Sequence, residues 1–269
     1  MMILASRNCF YWIICILSFN IFNCIAQNST DERVHFLNQG ELSFFKSLPD
    51  SICLIQPVYE NNDQLRKIQP LKYTISELRP ASSFIDSLSL GCYLITTEQL
   101  FPANSEIICY NILEEYHSIQ QIIITKNTSY LGFLEELLNI PFVLPPRRFK
   151  NGDHQTDLRL AVDCAELAIY GRRRQGYNIP YCGPKRIAEY MKKTDTLFPG
   201  VVIHFGHQVS VLYEDRGVIG ILDSEDLLIH AYKDKAEIIC LKDTDLARQK
   251  YTLYVFEENL STIKPNIVY

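Results

Sequence analysis

No Cys-x-x-Cys pair occurs anywhere in this 269-residue chain, and no combination of its cysteines and histidines has the spacing of a zinc site. Neither a metal nor a cofactor is therefore expected. A basic excess is missing as well: 26 Lys and Arg face 31 Asp and Glu, a formal net charge of −5, which removes any general electrostatic case for nucleic acid as partner. The one conspicuous basic cluster, Arg172-Arg173-Arg174, reads as a solvated helix face. Internal repeats and low-complexity segments are absent. What remains, 47% hydrophobic and 21% charged, is the composition of an ordinary globular protein.

The longest apolar run, "CFYWIICILSFNIF" from Cys9 to Phe22, is too short for a comfortable membrane span of about 20 residues. Arg7 precedes it, and small Ala26 is followed by a polar stretch. Charged start, apolar middle and small residue at the end read as a secretory signal over residues 1–26 with cleavage after Ala26, a retained N-terminal anchor being the alternative. The mature protein is expected to be exported to the periplasm, cell envelope or medium, with no stable membrane span. Of nine cysteines, Cys9, Cys15 and Cys24 leave with the signal. Cys53, Cys92, Cys109, Cys164, Cys182 and Cys240 stay, too few for a disulfide scaffold.

Residues 27–126 read as a β-rich domain. Short apolar runs such as "SICLIQPVY", "GCYLITTEQL", "EIICYNILEEY" and "IQQIIIT" are separated by the turn-prone clusters "ENND", "RPASS" and "FPANS". The pair "EIICYNIL" and "IQQIIIT" suggests a hairpin. In "NTSYLGFLEELLNI" the period changes: leucines recur at helical spacing, a cap is available between Asn127 and Ser129, and Pro141 stops the helix. A further helix is expected from about Pro184 to Lys193. From Gly200 the chain reads as consecutive strands, "VVIHF", "HQVSVLY", "GVIGIL", "DLLIHAY", "AEIICL" and "YTLYVFEE". Helices first and an antiparallel meander afterwards is the α+β pattern, assigned to a second domain over 127–269.

Within that second half, "AVDCAELAIYGRRRQG" sets Cys164 directly after an aspartate at a helix start. A thiol there meets the positive end of the helix dipole and the orphan N–H groups of the first turn, both of which favour thiolate. An imidazole that takes its proton would make it a nucleophile, and a third group would orient the imidazole. His207, opening "HQVSVLY", and His230, within "DLLIHAY", are placed to meet across neighbouring strands. His204 in "IHFGH" is an alternative to His207. Set against this, a single buried cysteine is most often a small hydrophobe, and a strand histidine most often a structural group.

Four blocks carry a resemblance. "YLGFLEELLNIPFVL", "VDCAELAIYGRRRQGYNIPY", "PGVVIHFGHQVSVLYED" and "LLIHAYKDKAEII" resemble, in order, the NlpC family of papain-like cell-wall cysteine peptidases. That family's pattern runs from a "tPYvwG" motif through Asp-Cys opening a helix, Pro-Gly-Asp before a strand and His-Val-Gly to Ile-His-Ala. The resemblance spans about residues 127–240. It implies a papain-like domain in which Cys164 is the nucleophile, His207 the general base and His230 the residue that orients it. The backbone N–H of Cys164 would serve as oxyanion donor. Implied too is hydrolysis of peptide bonds in peptidoglycan stems, often the bond from D-glutamate to the diamino acid.

The departures from the pattern are Phe142 where the family has tyrosine, Ala165-Glu166 after the cysteine, Val201 after Pro-Gly, and an extended hairpin around "RGVIGILDSED". Asp163 is read as a helix cap with a substrate amine as its other possible partner. Glu166 either alters substrate choice or faces solvent, the latter being the expectation. Asp153, His154 and Asp157 precede the cysteine in a loop whose polarity alone accounts for them. The expected function is an exported cysteine peptidase or amidase acting on peptidoglycan peptides. The alternative is a catalytically weak or inactive papain-fold protein that binds such peptides.

Overall fold

The computed structural model describes residues 33–39, 50–59, 70–85 and 88–257. The signal segment 1–26 and the "ENND" turn lie outside them. The chain divides into two units, 1–34 and 35–269, and the second contains the elements that follow.

It is a mixed α+β structure with two antiparallel sheets and few helices. The first sheet comprises β1 (Val34–Asn38), β2 (Ser51–Pro57), β3 (Leu71–Ile75), the two-residue β4 (Arg79–Pro80), β5 (Gly91–Thr96), β6 (Glu106–Cys109) and β7 (Gln120–Thr125). Its path is β1-β7-β5-β2-β3-β6, with β4 paired to β2. Short helices α1 (Ser82–Ile85) and α2 (Ile112–Glu115) lie between strands. The expected hairpin of "EIICYNIL" with "IQQIIIT" does not form. Asn111 ends β6 by capping α2, its side chain accepting from Glu114 N at 3.3 Å, so β6 pairs with β3 and β7 with β5.

The helical part is shorter than its leucine spacing implies. Helix α3 spans Tyr130–Glu135, capped by Ser129, whose hydroxyl accepts from Gly132 N. Leu134, Leu137 and Leu138 are buried, the last two in the turns after the helix. Helix α4 (Cys164–Arg174) is the longest and crosses α3 closely. A Cβ on Gly171 would come within 2.6 Å of both the Tyr130 ring and Leu134, so only glycine fits there. Helix α5 (Pro184–Ile187) has proline at its first position. It ends early because Met191–Lys193 is drawn off as strand β8 to pair with β13.

The second sheet runs β12-β11-β10-β9-β13-β8, from β8 (Met191–Lys193), β9 (Val202–His204), β10 (Val209–Glu214), β11 (Leu227–Tyr232), β12 (Lys235–Cys240) and β13 (Thr252–Phe256). Strands β9 to β12 form the expected meander. "GVIGIL", read as a strand, is instead a loop held by carboxylates. Asp223 accepts from Val218 N and Glu225 N, Asp215 from Gly220 N, and Asp226 from Arg216 N and Asp223 N, all at 2.7–2.9 Å. Side chains take the N–H groups of Val218 and Gly220, and Ile221 N donates to Val218 O, so these three are turned inward rather than offered to a ladder.

Helices α3 and α4 cover one face of this sheet. Tyr213 donates to Glu135 at 2.6 Å, Phe256 meets the Tyr130 ring at 6.2 Å, and the Arg172 guanidinium lies over Phe256. By strand alternation, Val209, Val211 and Tyr213 share that face. Ile203, Leu212 and Leu228 lie on the other, in a separate core cluster with Leu241 and Leu246. Among the described residues no helix is long and apolar enough to cross a membrane.

Candidate functional site

Cys164 is the first residue of α4. Asp163 caps the helix as expected, its carboxylate accepting from Glu166 N at 2.7 Å. The thiol is buried, 4% exposed. The N–H groups of Val209, Ala165 and Cys164 itself favour its ionisation, but burial, aided by the Asp163 charge, prevails and pushes it well above the ordinary thiol range. Burial thus favours the neutral thiol over the thiolate. All six described cysteines are free.

The two histidines lie elsewhere. His207 is not in β10, which begins at Val209. It occupies the exposed turn after β9, and its side chain makes no hydrogen bond or ion pair among the described residues. His230 is buried in β11, opposite Glu237 of β12, with Nε2 3.8 Å from Glu237 Oε1. Its Nδ1 is buried without a hydrogen-bond partner. Alternation puts His230 on the face of Leu228, opposite the one α4 covers. No hydrogen bond or ion pair joins any two of Cys164, His207 and His230 among the described residues. His204 does share the α4 face, as cross-strand partner of Val209. Both its ring nitrogens are engaged, Nε2 with Pro184 O at 2.8 Å and Nδ1 with Gly206 N at 3.0 Å.

The residue that directly precedes Val209 is Gln208, 3% exposed. Its amide donates to Ala231 O and Val209 O, both at 3.2 Å. One step along the β10–β11 register from Val211↔Ile229, Ser210 comes opposite His230. Its hydroxyl is also buried and unpartnered. A signal for Gln208 was present in the sequence: in His-Val-Gly the histidine immediately precedes valine, and in "HQVSV" that position is Gln208, not His207.

The remaining residues form a polar cluster behind the thiol. Glu166 does not face solvent. It is buried, accepts from Thr156 Oγ1 at 2.5 Å and lies 3.7 Å from His154 Nε2. Burial and the neighbouring Asp163 charge raise Glu166 well above the usual carboxyl range, and burial raises Asp163 to about 6. His154, stacked 4.5 Å from Tyr181, is lowered by burial to about 4. Phe142 is buried beside Tyr232, ring centroids 6.4 Å apart, and its N–H donates to Asp234 O at 2.8 Å.

Nor are the three arginines a solvated face. Arg173 pairs with Asp157 at 3.1 Å and Arg174 with buried Glu136 at 3.0 Å, while Arg172 lies over Tyr130, Tyr177 and Phe256. Compared with protein-family models, with curated proteins and with solved structures, the chain matches none.

Proposed function

We propose that this chain is an exported protein with a papain-like, NlpC-type domain that binds peptidoglycan stem peptides near Cys164 and hydrolyses them poorly or not at all. The family and the ligand class rest on the four ordered sequence blocks. The observation that carries the choice of binding over hydrolysis is Gln208. It stands where the resembled pattern has histidine directly before valine, and its amide is committed to two carbonyl oxygens. An amide cannot accept the thiol proton as imidazole would. A buried thiol shifted upward by desolvation has no thiolate to offer at neutral pH.

A cysteine peptidase using Cys164 with His207 or His204 is the second reading. The N–H groups of Ala165, Val209 and Cys164 beside the thiol favour it, because they are the donors an oxyanion requires.

One experiment separates the two. Purified chain and a Cys164→Ala variant are titrated with defined muropeptides in a calorimeter, and the mixtures are analysed by mass spectrometry. Saturable binding with no cleavage by either protein is expected. Cleavage by the parent that Cys164→Ala abolishes establishes the peptidase, and absence of both binding and cleavage removes both readings.

A further inference from the structure

A second feature lies in the first sheet, apart from Cys164. Strands β2 and β5 pair through Cys53↔Thr96, Leu54↔Ile95 and Ile55↔Leu94, and then part. The cause is visible in the ladder. Val58 N donates to Lys72 O of β3, so the neighbouring Pro57 nitrogen faces β5, where it has no hydrogen to give. Beyond Leu94, β5 is closed off by the chain after α3: Cys92 N donates to Leu138 O at 3.1 Å, and Asn139 packs on Gly91. The wedge between the strands is a cavity of about 480 Å³, within the range of small-molecule sites.

Its walls are unevenly equipped. Ile55, Leu94, Ile140 and Leu160 are apolar, and Tyr59, Tyr73 and Tyr93 add aromatic surface. The cation in the lining is Arg159, which is 7% exposed and held at φ +56°, a conformation that costs a non-glycine residue energy. Its Nε donates to Glu136 at 2.9 Å and one terminal nitrogen lies 3.5 Å from Asp157 O, which leaves donors of the five-N–H fork over. Glu136 does not neutralise it alone, because the same carboxylate also binds Arg174. Among the described residues no carboxylate side chain lines the cavity. Tyr73 is in the lining, but its hydroxyl is fully buried and faces no accessible space.

We propose that this cavity is a binding site for a small amphiphile with an apolar body and a carboxylate head, the head meeting Arg159. The apolar body lies along Ile55, Leu94 and Ile140. The site is independent of Cys164 and of the peptide-binding reading.

The test is calorimetric titration of the intact chain with octanoate, 1-octanol and octylamine. Octanoate should bind with saturation, 1-octanol about tenfold or more weakly for want of the charged hydrogen bond, and octylamine not measurably. Ser89→Trp, at an exposed position of the rim, should abolish binding while the protein stays folded by circular dichroism. Failure of octanoate to bind, equal or tighter binding of octylamine, or unchanged affinity in Ser89→Trp overturns the proposal.

Discussion

Gln208 and Ala231 are joined across neighbouring strands by a side-chain amide on a carbonyl oxygen at 3.2 Å. That bond occupies the entry to β10, at the sequence position where the resembled pattern has its base. Gln208→His would install an imidazole there. The variant should alkylate at Cys164 about tenfold or more faster at pH 7 than the parent, because a nearby imidazole lets the thiol ionise. Peptide mapping after iodoacetamide reads the site directly. If Gln208→His leaves the Cys164 rate unchanged while the fold is intact, position 208 is not where a base for Cys164 would stand.

The parent thiol should itself be a slow reactant. Cys164 is buried and shifted upward, so its thiolate fraction at neutral pH is below that of a free cysteine at ~8.5. Cys240 is the least buried of the six. Under native conditions iodoacetamide should label Cys240 first, and Cys164 only after unfolding or at strongly alkaline pH. Prompt labelling of Cys164 at pH 7, ahead of Cys240, would restore the nucleophile reading.

Much of the second sheet was legible in the sequence. Alternating apolar runs bounded by turn residues do become β9, β10, β11, β12 and β13, and Asp163 does cap α4. Where the pattern misled, a side chain competed with the backbone ladder. "GVIGIL" has strand composition, yet Asp215, Asp223 and Asp226 take its N–H groups and leave Val218, Ile219 and Ile221 exposed. Glu166 and the arginines looked like solvent-facing charges because their partners, Thr156, Asp157 and Glu136, are distant in sequence. Periodicity carries no information about such pairs.

Three buried titratable groups behind Cys164 make opposing contributions to stability against pH. Asp163 is raised from 3.8 to about 6: the folded state holds that proton more tightly, so its stabilisation is present at low pH and drains away as pH rises from about 4 through about 6. His154, lowered from 6.5 to about 4, acts in reverse: its contribution is complete above 6.5 and is lost as pH falls through about 4. Asp163→Asn keeps a competent cap and deletes the first trend, together with the part of the upward push on Glu166, the third group, that the Asp163 charge supplies. Urea unfolding should then show stability rising more steeply between pH 4 and 6 than in the parent. At pH 7 to 8 the variant should be more stable by about 1–3 kcal/mol, at about 1.4 kcal/mol per pKa unit. Parallel pH profiles for the two proteins would remove Asp163 from this account.

Glu136 is the hub on which the two ends of α4's neighbourhood depend. Its carboxylate, 2% exposed, accepts from Arg159 Nε at 2.9 Å, from Arg174 at 3.0 and 3.1 Å, and from the Tyr170 hydroxyl. Two guanidinium groups share one negative charge, so Glu136→Gln leaves both uncompensated, one of them deeply buried. Removing one partner of a buried ion pair costs about 3–5 kcal/mol, whereas Tyr170→Phe, which removes a single hydrogen bond to a charged group, should cost about 1.5–3 kcal/mol. Arg174→Met in the Glu136→Gln background removes one of the orphaned cations and should recover part of the loss. Chemical denaturation of these proteins and of Arg174→Met alone decides the matter: strictly additive losses in the double variant would mean that Arg174 draws nothing from Glu136, and the network would reduce to the Arg159 pair alone.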